Sequence, residues 1–192
     1  MAETRITAGV WRGRAVLTTR AMGTRPTTAR VREALFNILG DRVRGSAFLD
    51  LYAGAGTIGF EALSRGAASV TFVERDRDAV ALIRRSAEHL GCADRVRIVA
   101  AEVSSWLRRQ GNLVAAADLC YLDAPYADDG ITPVLEQLGR CPPGLVVCEH
   151  HRARRLPEST GGLERYREAG YGMARLGFYR RSTEGAGRDA RG

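Results

Sequence analysis

Residues 48–63 read FLDLYAGAGTIGFEAL. Phe48, Leu49 and Leu51 form a short apolar run, Gly54, Gly56 and Gly59 follow, and Ile58, Phe60, Ala62 and Leu63 make a helical pattern. The order predicts a buried strand, a tight turn and a helix N-terminus, the arrangement by which open α/β sheets hold a cofactor. The three glycines also satisfy G-x-G-x-x-G, so the turn by itself leaves open which cofactor it serves.

Outward from this stretch, strand-like and helix-like segments alternate. Strands are expected at 46–52, 69–74, 95–101, 117–126 and 144–150. Helices are expected at 57–65, 76–91 (Asp76 as cap, Gly91 as stop), 104–111 with a serine cap, and 131–139. The run 164–181, broken at Gly170 and Gly172, reads as a terminal hairpin. Repeated β–α units predict a parallel, doubly wound sheet with helices on both faces and an antiparallel C-terminal hairpin at one edge. Ahead of it, 4–18 reads as a small β-hairpin turning at Gly9 or Gly13, which needs a docking partner at that size. RPTTARVREALFNILG (25–40) follows as a helix capped by Thr27 or Thr28, with Val31, Leu35, Ile38 and Leu39 as its apolar stripe. The expected organisation is a hairpin extension at 1–24, the main domain at 25–182 and a disordered tail at 183–192.

The bulk properties bound the function. A chain of 192 residues, 45% hydrophobic and 27% charged, fits one globular domain. No apolar run reaches the roughly eighteen residues of a membrane helix. The start, MAETRITAGVWRGR, lacks the apolar core of a secretory signal, so a cytoplasmic location is expected. Cys92, Cys120, Cys141 and Cys148 form no C-x-x-C pair, and His89, His150 and His151 show no ligand spacing, so no metal is expected. The net charge is +7, and the first 45 residues hold nine arginines against Glu3, Glu33 and Asp41. A localised basic segment suits an anionic polymer. Trp11, between Arg12 and Val10, either stacks on an unpaired base or pins the hairpin to the core.

Chemistry should gather at the carboxyl ends of the strands, where the sequence places Asp50, Glu74, Glu102 and Asp123-Ala124-Pro125-Tyr126. Glu74 lies twenty residues after Gly54, as a ribose-binding acid does in dinucleotide folds. Asp50 argues the other way, because a carboxylate beside the turn repels a pyrophosphate. S-adenosylmethionine, with its ammonium and sulfonium, suits that position better. In the second loop, the Asp123 carboxylate and a backbone carbonyl held by Pro125 can accept both N–H bonds of an exocyclic amine. That aims the nitrogen lone pair at an electrophile while Tyr126 stacks on the planar group. Asp-x-Pro is also ordinary turn chemistry.

With RITAGVWRGR, RPTTARVREALFNIL, LDLYAGAGTIGFEALSRGA, VERD and LDAPY in place, the chain resembles the bacterial RsmD family from about Arg5 to Arg181. These are D-P-P-Y-type, S-adenosylmethionine-dependent methyltransferases acting on the exocyclic amino group (N2) of a guanine in small-subunit ribosomal RNA. The resemblance implies a Rossmann-like class I methyltransferase fold. It implies that Asp50, Tyr52, Gly54 and Gly56 shape the methionine pocket, that Glu74 holds the ribose, and that Glu102 and the Val103 N–H meet the adenine. Asp123, Ala124, Pro125 and Tyr126 would hold the guanine, and Arg12, Arg14, Arg25 and Arg30 would contact RNA. The implied partner is small-subunit ribosomal RNA, free or in the assembling 30S particle, met by a monomer with no membrane association. Ala124, Glu102 and Ala29 depart from the usual proline, aspartate and acid at their positions. The rivals are amino methylation of DNA adenine or protein glutamine, a nicotinamide-dependent oxidoreductase, and a binding module without turnover.

Overall fold

The computed structural model describes residues 2–18, 29–125 and 130–183. The expected helix cap at Thr27 or Thr28, and the site residues Arg25 and Tyr126, lie outside them. Strands β1 (Ala2–Arg5) and β2 (Ala15–Thr18) form the antiparallel N-terminal hairpin. Helix α1 spans Ala29–Leu39 and runs on through a short 3-10 turn, Gly40–Val43, to the first strand of the main sheet.

That sheet has eight strands: β3 (Ala47–Leu51), β4 (Ser69–Glu74), β5 (Val96–Ala100), β6 (Leu119–Leu122), β7 (Leu145–His151), β8 (Ser159–Thr160), β9 (Leu163–Tyr171) and β10 (Ala174–Arg181). Their order is β5-β4-β3-β6-β7-β10-β9-β8. The first five are parallel and the last three antiparallel, with β10 inserted between β7 and β9. Helices α2 (Thr57–Ser64), α3 (Arg77–Leu90), α4 (Val103–Leu107), α5 (Gly111–Ala115) and α6 (Ile131–Arg140) make the connections. Chain direction across the sheet reverses between β3 and β6. Such a switch point opens a crevice at the carboxyl ends of the strands.

Alternation along the central strands sends successive side chains to opposite faces, and both faces are buried. Phe48, Val70, Phe72, Leu119 and Val147 point to the face covered by the hairpin and α1 to α3. Leu49, Leu51, Val73, Cys120, Leu122 and Val146 point to the face covered by α4 to α6. Several local expectations hold to the residue. Asp76 caps α3 by accepting the Ala79 N–H at 2.8 Å, and Gly91 ends it in the left-handed region.

Other details differ. The segment after β5 is two short helices rather than one, and its first cap is Glu102 rather than a serine. The Glu102 carboxylate accepts the Ser104 and Ser105 N–H groups of the first turn. Trp11 takes the packing option. It is only 8% exposed, sits in the core beside the hairpin and carries the Arg95 guanidinium 5.1 Å from its ring centroid.

Candidate functional site

The crevice begins at the turn between β3 and α2. Tyr52 has φ 58°, the only positive φ at a non-glycine among the described residues, and Gly54 and Gly56 follow at 54° and 76°. Three left-handed residues within five fold the chain back sharply, and at a tyrosine this costs roughly 1–3 kcal/mol. Such strain is held by its surroundings. Here one anchor is Glu74 at the end of β4, whose two carboxylate oxygens accept the Gly54 N–H and the Asp76 N–H, each at 2.8 Å. Each oxygen keeps a second lone pair for a hydroxyl donor.

Gly59 differs from the two turn glycines. A Cβ there would stand 2.2 Å from a Phe72 ring carbon, so this glycine lets α2 lie against β4. Its N–H also donates to Asp50 Oδ2 at 3.0 Å.

Asp50 is 2% exposed at the end of β3. Burial pushes its carboxyl well above the usual carboxylate range, the Gly59 N–H holds it back in part, and the charges of Asp123 and Glu74 push it further up. Three carboxylates on neighbouring strand ends thus feel one another. A phosphate is repelled by that field and a cationic centre is attracted.

Glu102 follows β5, on the same side of the turn as Glu74. Burial alone would raise its carboxyl, but the N–H groups of Ser104 at 2.9 Å and Ser105 at 2.7 Å outweigh it and leave it below its usual value. The two oxygens cap α4, whose first residue, Val103, is buried. Both lie one strand beyond Glu74, because β5 pairs with β4.

β6 pairs with β3 on the remaining side, and Asp123, Ala124 and Pro125 leave its carboxyl end. Asp123 and Pro125 are half-buried, and Ala124 is 1% exposed. The loop rests against the neighbouring strand, with the Asp123 N–H pointing to the Leu51 carbonyl at a long 3.5 Å. Behind it, the Tyr121 hydroxyl donates to Glu149 of β7, both buried. The crevice therefore brings together Asp50, Tyr52, Gly54, Gly56, Glu74, Glu102, Val103, Asp123, Ala124 and Pro125.

It does not gather the hairpin arginines. α2 starts at the crevice and ends at the amino-terminal edge of the sheet, and the hairpin turn docks at that far end. Val10 donates its N–H to the Ser64 carbonyl at 2.9 Å and Trp11 to Ser64 Oγ at 3.0 Å. Arg14 donates to the carbonyl of His89, in the last turn of α3. Arg12 and Arg14 are exposed there, away from Asp123, while Arg30 is exposed in the first turn of α1.

The docking centre is Glu61, a fully buried residue of α2. It accepts the Thr7 N–H at 2.9 Å, the Thr7 hydroxyl at 2.7 Å and the Ala8 N–H at 3.0 Å. Arg65 Nε donates to it at 2.8 Å, and the buried Arg32 lies 3.3 Å away as a charge contact. Gly9 passes so close that a Cβ would fall 1.9 Å from the Ser64 carbonyl oxygen. The sequence carried one signal for this hub: a lone acid in the otherwise apolar IGFEAL.

Comparison with known proteins agrees with this fold. The family model described as Conserved hypothetical protein 95 matches residues 4–180. Ribosomal RNA small subunit methyltransferase D of Haemophilus influenzae is 34% identical over 178 residues, 86% of this chain and 92% of that protein. The solved structure of yhhF from Escherichia coli superposes with a TM-score of 0.83 at 28% identity, covering 94% of this chain and 99% of the other. An RNA methyltransferase from Salinibacter ruber, solved in complex with S-adenosyl-L-homocysteine, shares the fold with a TM-score of 0.65 at 19% identity, covering 83% and 95%.

Proposed function

Because this chain belongs to the RsmD family of methyltransferases, we propose that it transfers a methyl group from S-adenosylmethionine to the exocyclic 2-amino group of a guanine in small-subunit ribosomal RNA. The observation that carries the reading is the gathering of Asp50, Glu74 and Asp123 around a strained glycine turn at the switch point. A sulfonium cofactor supplies an electrophilic methyl carbon and brings two positive centres into that negative field. The same field disfavours the pyrophosphate of a nicotinamide cofactor.

Each residue then has a role. Tyr52, Gly54 and Gly56 form the wall against the methionine moiety, and Asp50 sets the potential beneath it. The spare lone pairs of Glu74 accept the ribose hydroxyls, while Glu102 and the Val103 N–H border the adenine. The target base leaves its stack to enter the crevice. The Asp123 carboxylate and the Ala124 carbonyl accept its two amine hydrogens, Pro125 keeps them fixed, and Tyr126 stacks on the base. The amine lone pair is thereby released from the ring and aimed. The new N–C bond forms as the S–C bond breaks, and Asp123 stands where the surplus amine proton departs. No cysteine nucleophile takes part: Cys120 and Cys148 are buried, and burial pushes both thiols up. The chain acts as a monomer on free ribosomal RNA or on the assembling 30S particle.

The test is tritiated methyl transfer into small ribosomal subunits that lack the modification. Wild-type protein should label them, and Asp123→Ala should lower the rate by roughly 100-fold or more, as expected for loss of one preorganised acceptor. Label unchanged by Asp123→Ala overturns the mechanism, and absence of label from wild type overturns the substrate.

A further inference from the structure

We infer that a basic lip beside the catalytic loop, formed by Arg152 and Arg155 with the exposed Met173 at the adjoining hairpin tip, grips the RNA backbone next to the flipped base. The inference rests on the RNA reading above. Register places it. Leu122 of β6 lies opposite Cys148 of β7, the last pair of that ladder, and β7 runs on to His151 while β6 gives way to Asp123, Ala124 and Pro125. Arg152 to Arg155 therefore leave the strand that neighbours the loop proposed to hold the target amine.

The lip is built rather than trailing. The Arg152 N–H donates to the Met173 carbonyl at 2.8 Å, and the Arg154 N–H donates to the His151 carbonyl at 2.9 Å. Ala174 of β10 pairs with His151, which brings the β9–β10 tip alongside. Arg175 Nη1 closes that tip on the Gly172 and Ala174 carbonyls at 3.3 and 3.1 Å. Arg152 and Arg155 stay exposed and carry no ion pair among the described residues, and Met173 is 51% exposed at the tip.

Fixed backbone, free guanidiniums and an apolar tip suit one ligand: a single-stranded phosphodiester whose neighbouring base lies on the methionine. Guanidiniums match phosphate oxygens in a planar fork. Arg12 and Arg14 do not line this edge, because the hairpin turn docks at the far end of α2. A basic segment that stands on the strand next to the loop is HRARR, at the exit of β7.

The test compares wild type with the Arg152→Ala/Arg155→Ala double variant on in vitro transcribed small-subunit ribosomal RNA. S-adenosyl-homocysteine binding and melting temperature serve as controls for the fold. Loss of two phosphate contacts should make the slope of log K against log salt shallower by about 1.4 to 2. The KM for RNA should rise about tenfold with kcat unchanged, since these residues position and do not react. An unchanged slope together with an unchanged KM overturns the lip. If wild type binds this RNA but transfers no methyl, the substrate reading fails, and the salt slope alone then decides the lip.

Discussion

Asp50 and Glu61 are both buried carboxylates served by helix α2, eleven positions apart, and their surroundings could hardly differ more. Glu61 meets two guanidiniums and three further donors, every one from a part of the fold it holds in place. Asp50 meets one neutral N–H and faces two more carboxylates. A buried charge matched by protein cations is finished as a structural element. Asp50, whose carboxyl burial and two neighbouring carboxylates push up, has no such partner among the described residues, which fits the cationic ligand proposed for this end. The contrast separates the docking end of α2 from its reacting end.

The most severe way to break the contrast is Glu61→Ala. Leaving Arg32 buried without its partner should destabilise the protein by about 3–5 kcal/mol, measured as a lowered urea midpoint. A loss below about 1 kcal/mol would place the hairpin's anchorage elsewhere. Asp50→Asn should go the other way. Its carboxyl is raised in the fold, so the native state holds a proton more tightly than the unfolded chain does. Its ionisation then costs stability progressively as pH rises from about 3.8 towards the raised native value. The asparagine variant keeps an acceptor for the Gly59 N–H and lacks that cost. Its advantage over wild type in urea midpoint should grow as pH rises above about 4, while S-adenosyl-homocysteine binding weakens. A difference that is flat with pH would sink the argument. The gentlest test is Tyr52→Gly, which relieves the left-handed tyrosine and should add up to ~1 kcal/mol to stability while weakening cofactor binding.

Much of the reacting end was readable from residues alone, because glycine spacing, apolar alternation and acids at strand ends are local signals. Asp76 and Gly91 fixed α3, and residues 48–63 fixed the turn. Gly59 counted in the sequence as the third glycine of G-x-G-x-x-G, and its packing against Phe72 shows in the structure. The docking end was less readable. Whether Trp11 faced RNA or the core depended on where the hairpin lay, and that follows from contacts to Ser64 and His89, far along the chain. Charge density is no better a guide to position: where Arg12 and Arg14 stand follows from the hairpin's contacts to Ser64 and His89, which a count of nine arginines near the N-terminus does not contain. The Glu102 cap was missed because a serine-rich start competes for that assignment by type, and only backbone geometry chooses.

The Glu61 hub also sets an order of events during synthesis. Thr7 must find a partner 54 positions later, and Arg14 one 75 positions later. The first eighteen residues therefore leave the ribosome long before the helix that receives them exists. They have to wait as an unpaired hairpin, too small to persist by itself. Only after α2 and α3 have been made can the hairpin settle, so its docking waits on the chain as far as His89.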